Sequence, residues 1–167
     1  MGWRVLIFVT VGSNEPFDRL IKAMDDWSAE MGYGDIFGQI GEGRYEPTHF
    51  PFVRTLAPHA YRDKLDGATV VVSHVGSGTI IGAVHYGKPM VLLPRREDYH
   101  EVRNSHQLDS AHRLMGQPGI FIADQTVDLP ACLAVALMAP AVELVPNDHL
   151  TSLISRLRQF IEFDPAT

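Results

Sequence analysis

The chain has 167 residues, and its 14 Lys and Arg against 20 Asp and Glu give a formal net charge of −6. Since a domain contains about 150 residues, the length predicts a single domain over residues 1–167 and excludes two complete Rossmann-type domains around a cleft. A net negative charge offers no general attraction for nucleic-acid phosphate or anionic lipid. We therefore expect no nucleic-acid partner.

The cysteine content and the apolar runs indicate a cellular setting. Cys132 is the single cysteine, so the chain can form neither an intramolecular disulfide nor a cysteine-rich zinc site, which is typical of a reducing environment. No apolar run approaches the roughly 20 residues that span a bilayer. The prediction is a cytoplasmic protein that lies at a membrane only through a partner.

Short apolar runs rich in β-branched residues alternate with segments of helical periodicity, the pattern of a parallel sheet covered by helices. The first run, residues 5–11, lacks polar alternation and predicts a central strand buried on both faces. Strands are predicted at residues 5–11, 34–40, 50–53, 68–73, 90–94 and 120–122, and helices at residues 16–27, 58–65, 79–86, 104–115 and 129–138. The predicted fold class is α/β, an open parallel Rossmann-like sheet with helices on both faces.

Residues 148–163 predict an amphipathic C-terminal helix. One face of this helix collects the apolar side chains of Leu150, Leu153, Ile154, Leu157, Phe160 and Ile161. An apolar stripe of this length needs a covering surface. The chain's own sheet and a partner protein are the two candidate surfaces.

The loop at residues 73–79, Ser-His-Val-Gly-Ser-Gly-Thr, carries the strongest indication of a ligand site. It joins a predicted strand to a predicted helix, and in open parallel sheets ligands bind beyond the carboxyl ends of the strands. Glycines let the backbone approach a ligand, and the free N–H groups at a helix N-terminus favour a phosphate. A tight structural turn is the alternative interpretation.

Other nucleotide and hydrolase motifs fit this sequence poorly. The spacing of Gly76, Gly78 and Gly82 departs from the dinucleotide-binding pattern, in which Glu97 or Asp98 would hold the ribose. A Walker A phosphate loop and a GxSxG nucleophile elbow are absent from the sequence. A small NAD-dependent oxidoreductase remains an alternative, while ATP hydrolysis and acyl transfer are disfavoured.

Eight histidines invite acid–base or metal chemistry. His74, at a predicted strand end beside the glycines, is the best catalytic candidate: it acts at a diphosphate or as a base, or it is a hydrogen-bonded structural residue. The other histidines lack ligand-like spacing with carboxylates or cysteine, and the sequence contains no Asp-x-Asp motif. We therefore expect no metal ion at the site.

Several motifs in order resemble the C-terminal, donor-binding domain of family 28 glycosyltransferases. They are FVTVGS at residues 8–13, PFDRLI at 16–21, SHVGSGTI at 73–80, GKP at 87–89, proline at 94 and NSHQL at 104–108. The resemblance covers roughly residues 4–125 and is greatest to the small soluble subunits of split glycosyltransferases of exopolysaccharide or lipid-linked oligosaccharide synthesis. It implies one Rossmann-like half of a GT-B fold.

The resemblance also implies roles for individual residues. Those implied for the diphosphate of a UDP-sugar are Gly12, Ser13, Asn14, Gly76, Ser77, Gly78 and Thr79. Those implied for the donor sugar are Asn104, Ser105, His106 and Gln107. Gly82 departs from the family, because two-domain members carry a glutamate there that holds the ribose hydroxyls. Glu97, Asp98 and Glu101 are alternative ribose ligands, although charged loop residues more often face solvent.

The activity implied by the resemblance is sugar transfer from a UDP-sugar to a lipid-linked saccharide, with inversion at the anomeric carbon and without metal or cofactor. In the family the base that deprotonates the acceptor lies in an N-terminal domain, so a membrane-anchored acceptor-binding subunit is the implied partner. A non-catalytic nucleotide-sugar-binding or regulatory subunit is the alternative. The donor sugar stays open between hexose, N-acetylglucosamine and glucuronate. Arg95 and Arg96 could pair with a glucuronate carboxylate, but such arginines more often face solvent.

Overall fold

The computed structural model describes residues 5–12 and 15–142, together with Ser155 and Gln159. This part of the chain forms six strands and five α-helices, with short 3-10 helices at Glu97–Tyr99 and Thr126–Asp128. The strands are β1 (Ile7–Thr10), β2 (Ile36–Gln39), β3 (Phe52–Val53), β4 (Val70–Ser73), β5 (Met90–Leu92) and β6 (Ile120–Ile122). The helices are α1 (Asp18–Met31), α2 (Pro58–Gly67), α3 (Ser77–His85), α4 (His106–Leu114) and α5 (Leu129–Met138).

All six strands form one parallel sheet in the order β3-β2-β1-β4-β5-β6. Strands β2 and β3 extend the sheet on one side of β1, and β4, β5 and β6 extend it on the other side. Loops that follow β1 and β4 consequently diverge, which opens a crevice at the carboxyl ends of these strands. The predicted α/β class and Rossmann-like architecture are confirmed.

Both faces of the sheet are buried, as the unbroken apolar runs predict. Alternate residues of β1 point to opposite faces, so Val9 packs with Leu20 of α1 and Leu133 of α5. Phe8 packs on the other face with Leu65 of α2 and Ile80 of α3. Helices thus cover both faces of the sheet. Burial of one such side chain contributes about 1.5–3 kcal/mol to the free energy of folding.

The predicted elements differ from the observed ones mainly at their ends. Residues 120–122 and 129–138 are confirmed as strand and helix. Strand β3 has two residues instead of four, and Pro51, which precedes it, has no N–H to extend the ladder. Helix α3 begins at Ser77, two residues before the predicted start. No helix among the described residues has both the length and the apolar character needed to cross a bilayer.

Two predictions fall on residues outside this description. The amphipathic helix at residues 148–163 lies there apart from Ser155 and Gln159. Ser13 and Asn14, two of the residues implied for the diphosphate, lie there as well.

Candidate functional site

A cleft of about 960 Å³ lies at the carboxyl ends of the central strands. Gly12 after β1, His74 and Gly76 after β4, and Arg95 after β5 all line it. The cleft therefore occupies the point at which the strand order reverses, where open α/β sheets bind their ligands. The sequence predicted this location from the loop at residues 73–79.

Helix α3 presents an uncapped N-terminus to this cleft. Gly76 is the N-cap residue and has no side chain, and its carbonyl accepts the first intrahelical hydrogen bond from the Ile80 N–H at 3.1 Å. The N–H groups of Ser77, Gly78 and Thr79 precede that bond and have no acceptor within the helix. Three N–H donors and the positive end of the helix dipole together favour negative charge at this position.

The imidazole of His74 packs against two glycines of the cleft. A Cβ atom at Gly12, where φ is +76°, would lie 2.8 Å from His74 Cε1. One at Gly76 would lie 2.2 Å from His74 Nε2. Both distances are shorter than any real contact, so these glycines make room for the imidazole. This is a packing reason for glycine at both positions, besides the close approach of a ligand.

His74 is electrically neutral in this setting. Burial and the nearby Arg95 cation lower the pKa of His74 to about 3. Its Nδ1 lies 3.2 Å from the Ser73 hydroxyl oxygen, within hydrogen-bond distance. An imidazole with such a pKa is a poor proton acceptor at neutral pH, since an efficient general base has a pKa near the working pH. It remains a hydrogen-bonding group for a ligand in the cleft.

A polar cluster forms the floor of the cleft beneath α3. The Tyr61 hydroxyl from α2 lies within hydrogen-bond distance of Thr79 Oγ1, at 2.9 Å. The Thr79 side chain therefore has a partner inside the protein, whereas its backbone N–H has no acceptor within the helix. Gln39, the last residue of β2, donates to Thr10 Oγ1 at 3.4 Å and accepts the Leu56 N–H at 3.1 Å. Burial raises the pKa of Tyr61. Of these residues the sequence predicted only Thr79 as a site residue, because the cluster is assembled from separate segments of the chain.

The four residues implied for the donor sugar are not equally placed. Gln107 lines the cleft, and its Oε1 accepts the Arg95 backbone N–H at 2.9 Å. Asn104, Ser105 and His106 are exposed on the approach to α4. The structure thus brings Gln107 to the cleft, and a sugar role for all four residues stays a prediction.

Arg95 corrects the expectation that both arginines after β5 face solvent. Its exposed fraction is 3%, and its Nη2 donates to the carbonyl of Val11 at 2.9 Å and to the carbonyl of Glu15. The guanidinium also lies over the Phe17 ring, 5.1 Å from its centroid. Arg95 lies three residues after β5 and directly after the strand predicted at residues 90–94, and this position near a strand end was the one sequence signal for a site residue.

Glu101 is largely shielded from solvent, with a side chain that is 11% exposed, contrary to the expectation for a charged loop residue. Its carboxylate accepts two hydrogen bonds from Arg19, Nε at 2.8 Å and Nη2 at 2.9 Å, and one from the Arg96 N–H at 2.9 Å. These bonds join α1 to the loop after β5 and leave Glu101 poorly available for a ribose. Glu97 and Asp98 are exposed, as expected.

Gly82 lines the cleft on α3 at the position where the family carries a glutamate. A Cβ atom there would lie 2.8 Å from Leu65 Cδ1 of α2. The two helices therefore approach each other closely at this glycine, and a larger residue requires Leu65 to move.

Comparison with known proteins gives the family. The model of the glycosyltransferase family 28 C-terminal domain matches residues 6–127, most of the chain. The chain belongs to this family. A human relative, UDP-N-acetylglucosamine transferase subunit ALG13, is 31% identical over 125 residues, which is 69% of this chain and 11% of the human protein. This chain therefore spans a small part of that relative.

Solved structures of glycosyltransferases share the fold of this family 28 chain. The NMR solution structure of ALG13 matches with a TM-score of 0.66 at 15% identity, covering 95% of this chain and 97% of that one. The crystal structure of CalG4, the calicheamicin glycosyltransferase, matches with a TM-score of 0.55 at 17% identity and covers 94% of this chain but 39% of its own. The Rossmann-like sheet is thus one half of a GT-B fold.

Proposed function

We propose that this chain is the donor-binding subunit of a glycosyltransferase that moves a sugar from a UDP-sugar to a lipid-linked saccharide. The observation that carries the proposal is the uncapped N-terminus of α3, which opens into the cleft between the loops that follow β1 and β4. The name of the human relative, a UDP-N-acetylglucosamine transferase subunit, supports UDP-N-acetylglucosamine as the first donor to test.

In this proposal the diphosphate of the donor lies against the N–H groups of Ser77, Gly78 and Thr79. The acceptor hydroxyl attacks the anomeric carbon, the bond from that carbon to the UDP oxygen breaks, and the configuration inverts. The helix N-terminus stabilises the negative charge that grows on UDP, so no metal ion is needed for this purpose. Neutral His74 donates a hydrogen bond from its ring N–H to a diphosphate oxygen.

The proton of the acceptor hydroxyl goes to a base on a partner subunit. His74, with its pKa of about 3, is a weak candidate for this base. A membrane-anchored partner would also bind the lipid-linked acceptor and would keep this chain at the cytoplasmic face of the membrane. The helix predicted at residues 148–163 is the candidate attachment segment for this partner.

A calorimetric titration followed by a transfer assay tests the proposal. The purified chain is expected to bind UDP more tightly than NAD, and NAD preference would instead favour an oxidoreductase. A donor panel of UDP-N-acetylglucosamine, UDP-glucose and UDP-glucuronate, assayed with the co-expressed partner, identifies the sugar. Full transfer activity without any partner would contradict a base on another subunit.

A non-catalytic nucleotide-sugar-binding subunit is the second candidate. Gly82, in place of the glutamate that holds the ribose in the family, favours it, as does the low proton affinity of His74. UDP binding without transfer, in the presence of a partner that forms a stable complex, would support this candidate against the first.

A further inference from the structure

Arg95 is a buried cation with an incomplete set of partners. Its Nη2 satisfies the carbonyls of Val11 and Glu15, but its Nε is buried without a hydrogen-bond partner. Among the residues that the structure describes, no carboxylate forms a salt bridge with it. Glu15 and Glu101 act on its charge only through space. Since buried charges are normally paired, this guanidinium lacks a counter-charge.

The missing counter-charge belongs on the cleft side of the guanidinium. Arg95 lines the cleft, and the carbonyl that it holds, that of Val11, immediately precedes Gly12, which touches the His74 ring. The same ring touches Gly76, the N-cap of α3. The positive charge of Arg95 also acts on His74 through space. The Arg95 cation and the positive end of the α3 dipole therefore lie along one wall of the cleft, with the neutral His74 ring between them.

We infer that Arg95 is an anion-recognition residue of the cleft, with a diphosphate-class anion as its counter-charge, and that it simultaneously holds the loop after β1 against this anion. The inference rests on the proposed function for the identity of the anion as part of a UDP-sugar. It adds a side-chain cation from β5 to the backbone donors of α3. Binding the diphosphate then neutralises a charge that the folded chain otherwise buries alone.

Three probes separate the parts of this inference: UDP, uridine and inorganic pyrophosphate, each titrated by calorimetry. In Arg95→Met the affinities for UDP and pyrophosphate fall by about 10- to 100-fold, as for a lost hydrogen bond to a charged group, while the affinity for uridine is unchanged. Arg95→Lys keeps a positive charge without the planar fork, so its UDP affinity lies between those of the wild type and Arg95→Met. If Arg95→Met does not fold, Arg95→Lys tests the inference in its place.

Arg54→Met is the matched control. Arg54 also holds loop carbonyls, those of Gly41 at 3.1 Å and Gly43 at 2.9 Å, but it does not line the cleft. Its substitution is expected to leave all three affinities unchanged.

Equal loss of UDP and uridine affinity in the Arg95 variants would overturn the inference, because it would mean that Arg95 acts on loop structure alone. Unchanged pyrophosphate and UDP affinity, or no pyrophosphate binding by the wild type, would overturn it too. Failure of the proposed function has a different signature: the wild type binds pyrophosphate in an Arg95-dependent manner but shows no preference for UDP over NAD.

Discussion

Replacing Gly76 with alanine tests the packing of the His74 ring against the glycine loop. The new Cβ atom would lie 2.2 Å from Nε2 and 2.7 Å from Cε1 of His74. The imidazole has little room to retreat, because it also touches Gly12 and its Nδ1 lies 3.2 Å from the Ser73 hydroxyl oxygen. Overpacking of this kind costs about 1–3 kcal/mol of folding free energy.

Urea unfolding, followed by the fluorescence of buried Trp27, measures this cost. We expect the free energy of unfolding of Gly76→Ala to fall by about 1–3 kcal/mol, and Tm to fall by roughly 2–4 °C for each kcal/mol at this chain length. Gly67→Ala is the matched control, since a Cβ atom at Gly67 meets nothing within 4 Å. Its stability is expected to be unchanged or higher.

A double-mutant cycle with His74→Ala decides whether the His74 ring is the cause. Removing the ring leaves space for the new methyl group, so the stability cost of Gly76→Ala should largely disappear in the His74→Ala background. Two stability changes that add to within about 0.5 kcal/mol would refute the reasoning, because independent sites behave in that way.

Three further predictions concern the site and its supports. The pKa of His74 is about 3 in the folded chain against 6.5 in the reference state, so the unfolded chain takes up a proton first as the pH falls. The free energy of unfolding should therefore decrease between about pH 6.5 and pH 3, by at most about 1.4 kcal/mol per pH unit. Urea unfolding at several pH values should show this slope in the wild type and not in His74→Gln. Tyr61→Phe removes the hydroxyl that lies 2.9 Å from Thr79 Oγ1 and should cost about 0.5–1.5 kcal/mol in the same assay, whereas unchanged stability would mean that this contact contributes nothing. Glu101→Gln removes the charge that pairs with Arg19 and should increase amide hydrogen exchange in the loop after β5, and unchanged exchange would contradict its role as an anchor.

The fold could be predicted because its main signals are local. Residues 68–73 and 90–94 are predominantly apolar runs without polar alternation, as expected for strands buried on both faces. The loop at residues 73–79 predicted the position of the cleft, since ligands of open parallel sheets bind beyond the carboxyl ends of the strands. Errors concentrate at element ends, where Ser77 already has helical geometry although nothing in the sequence marks it as the first helical residue.

The buried charges could not be predicted, because their partners are distant in sequence. Arg95 bonds to the Val11 carbonyl 84 residues away, and Glu101 to Arg19 82 residues away. In a sequence, each of these residues is a charged member of a polar loop and is expected to face solvent. Only the tertiary fold, which brings the loop after β5 against the loop after β1 and the start of α1, shows that Arg95 is buried and Glu101 is largely shielded from solvent.

The central claim is that the N-terminus of α3 binds the diphosphate of a uridine nucleotide. Titration of the isotopically labelled chain with UDP, followed by backbone amide NMR, tests it most directly. We predict saturable shifts that are largest at the amides of Ser77, Gly78 and Thr79, smaller shifts with uridine, and weaker binding of NAD. Largest shifts away from α3, or NAD binding in preference to UDP, would contradict the account.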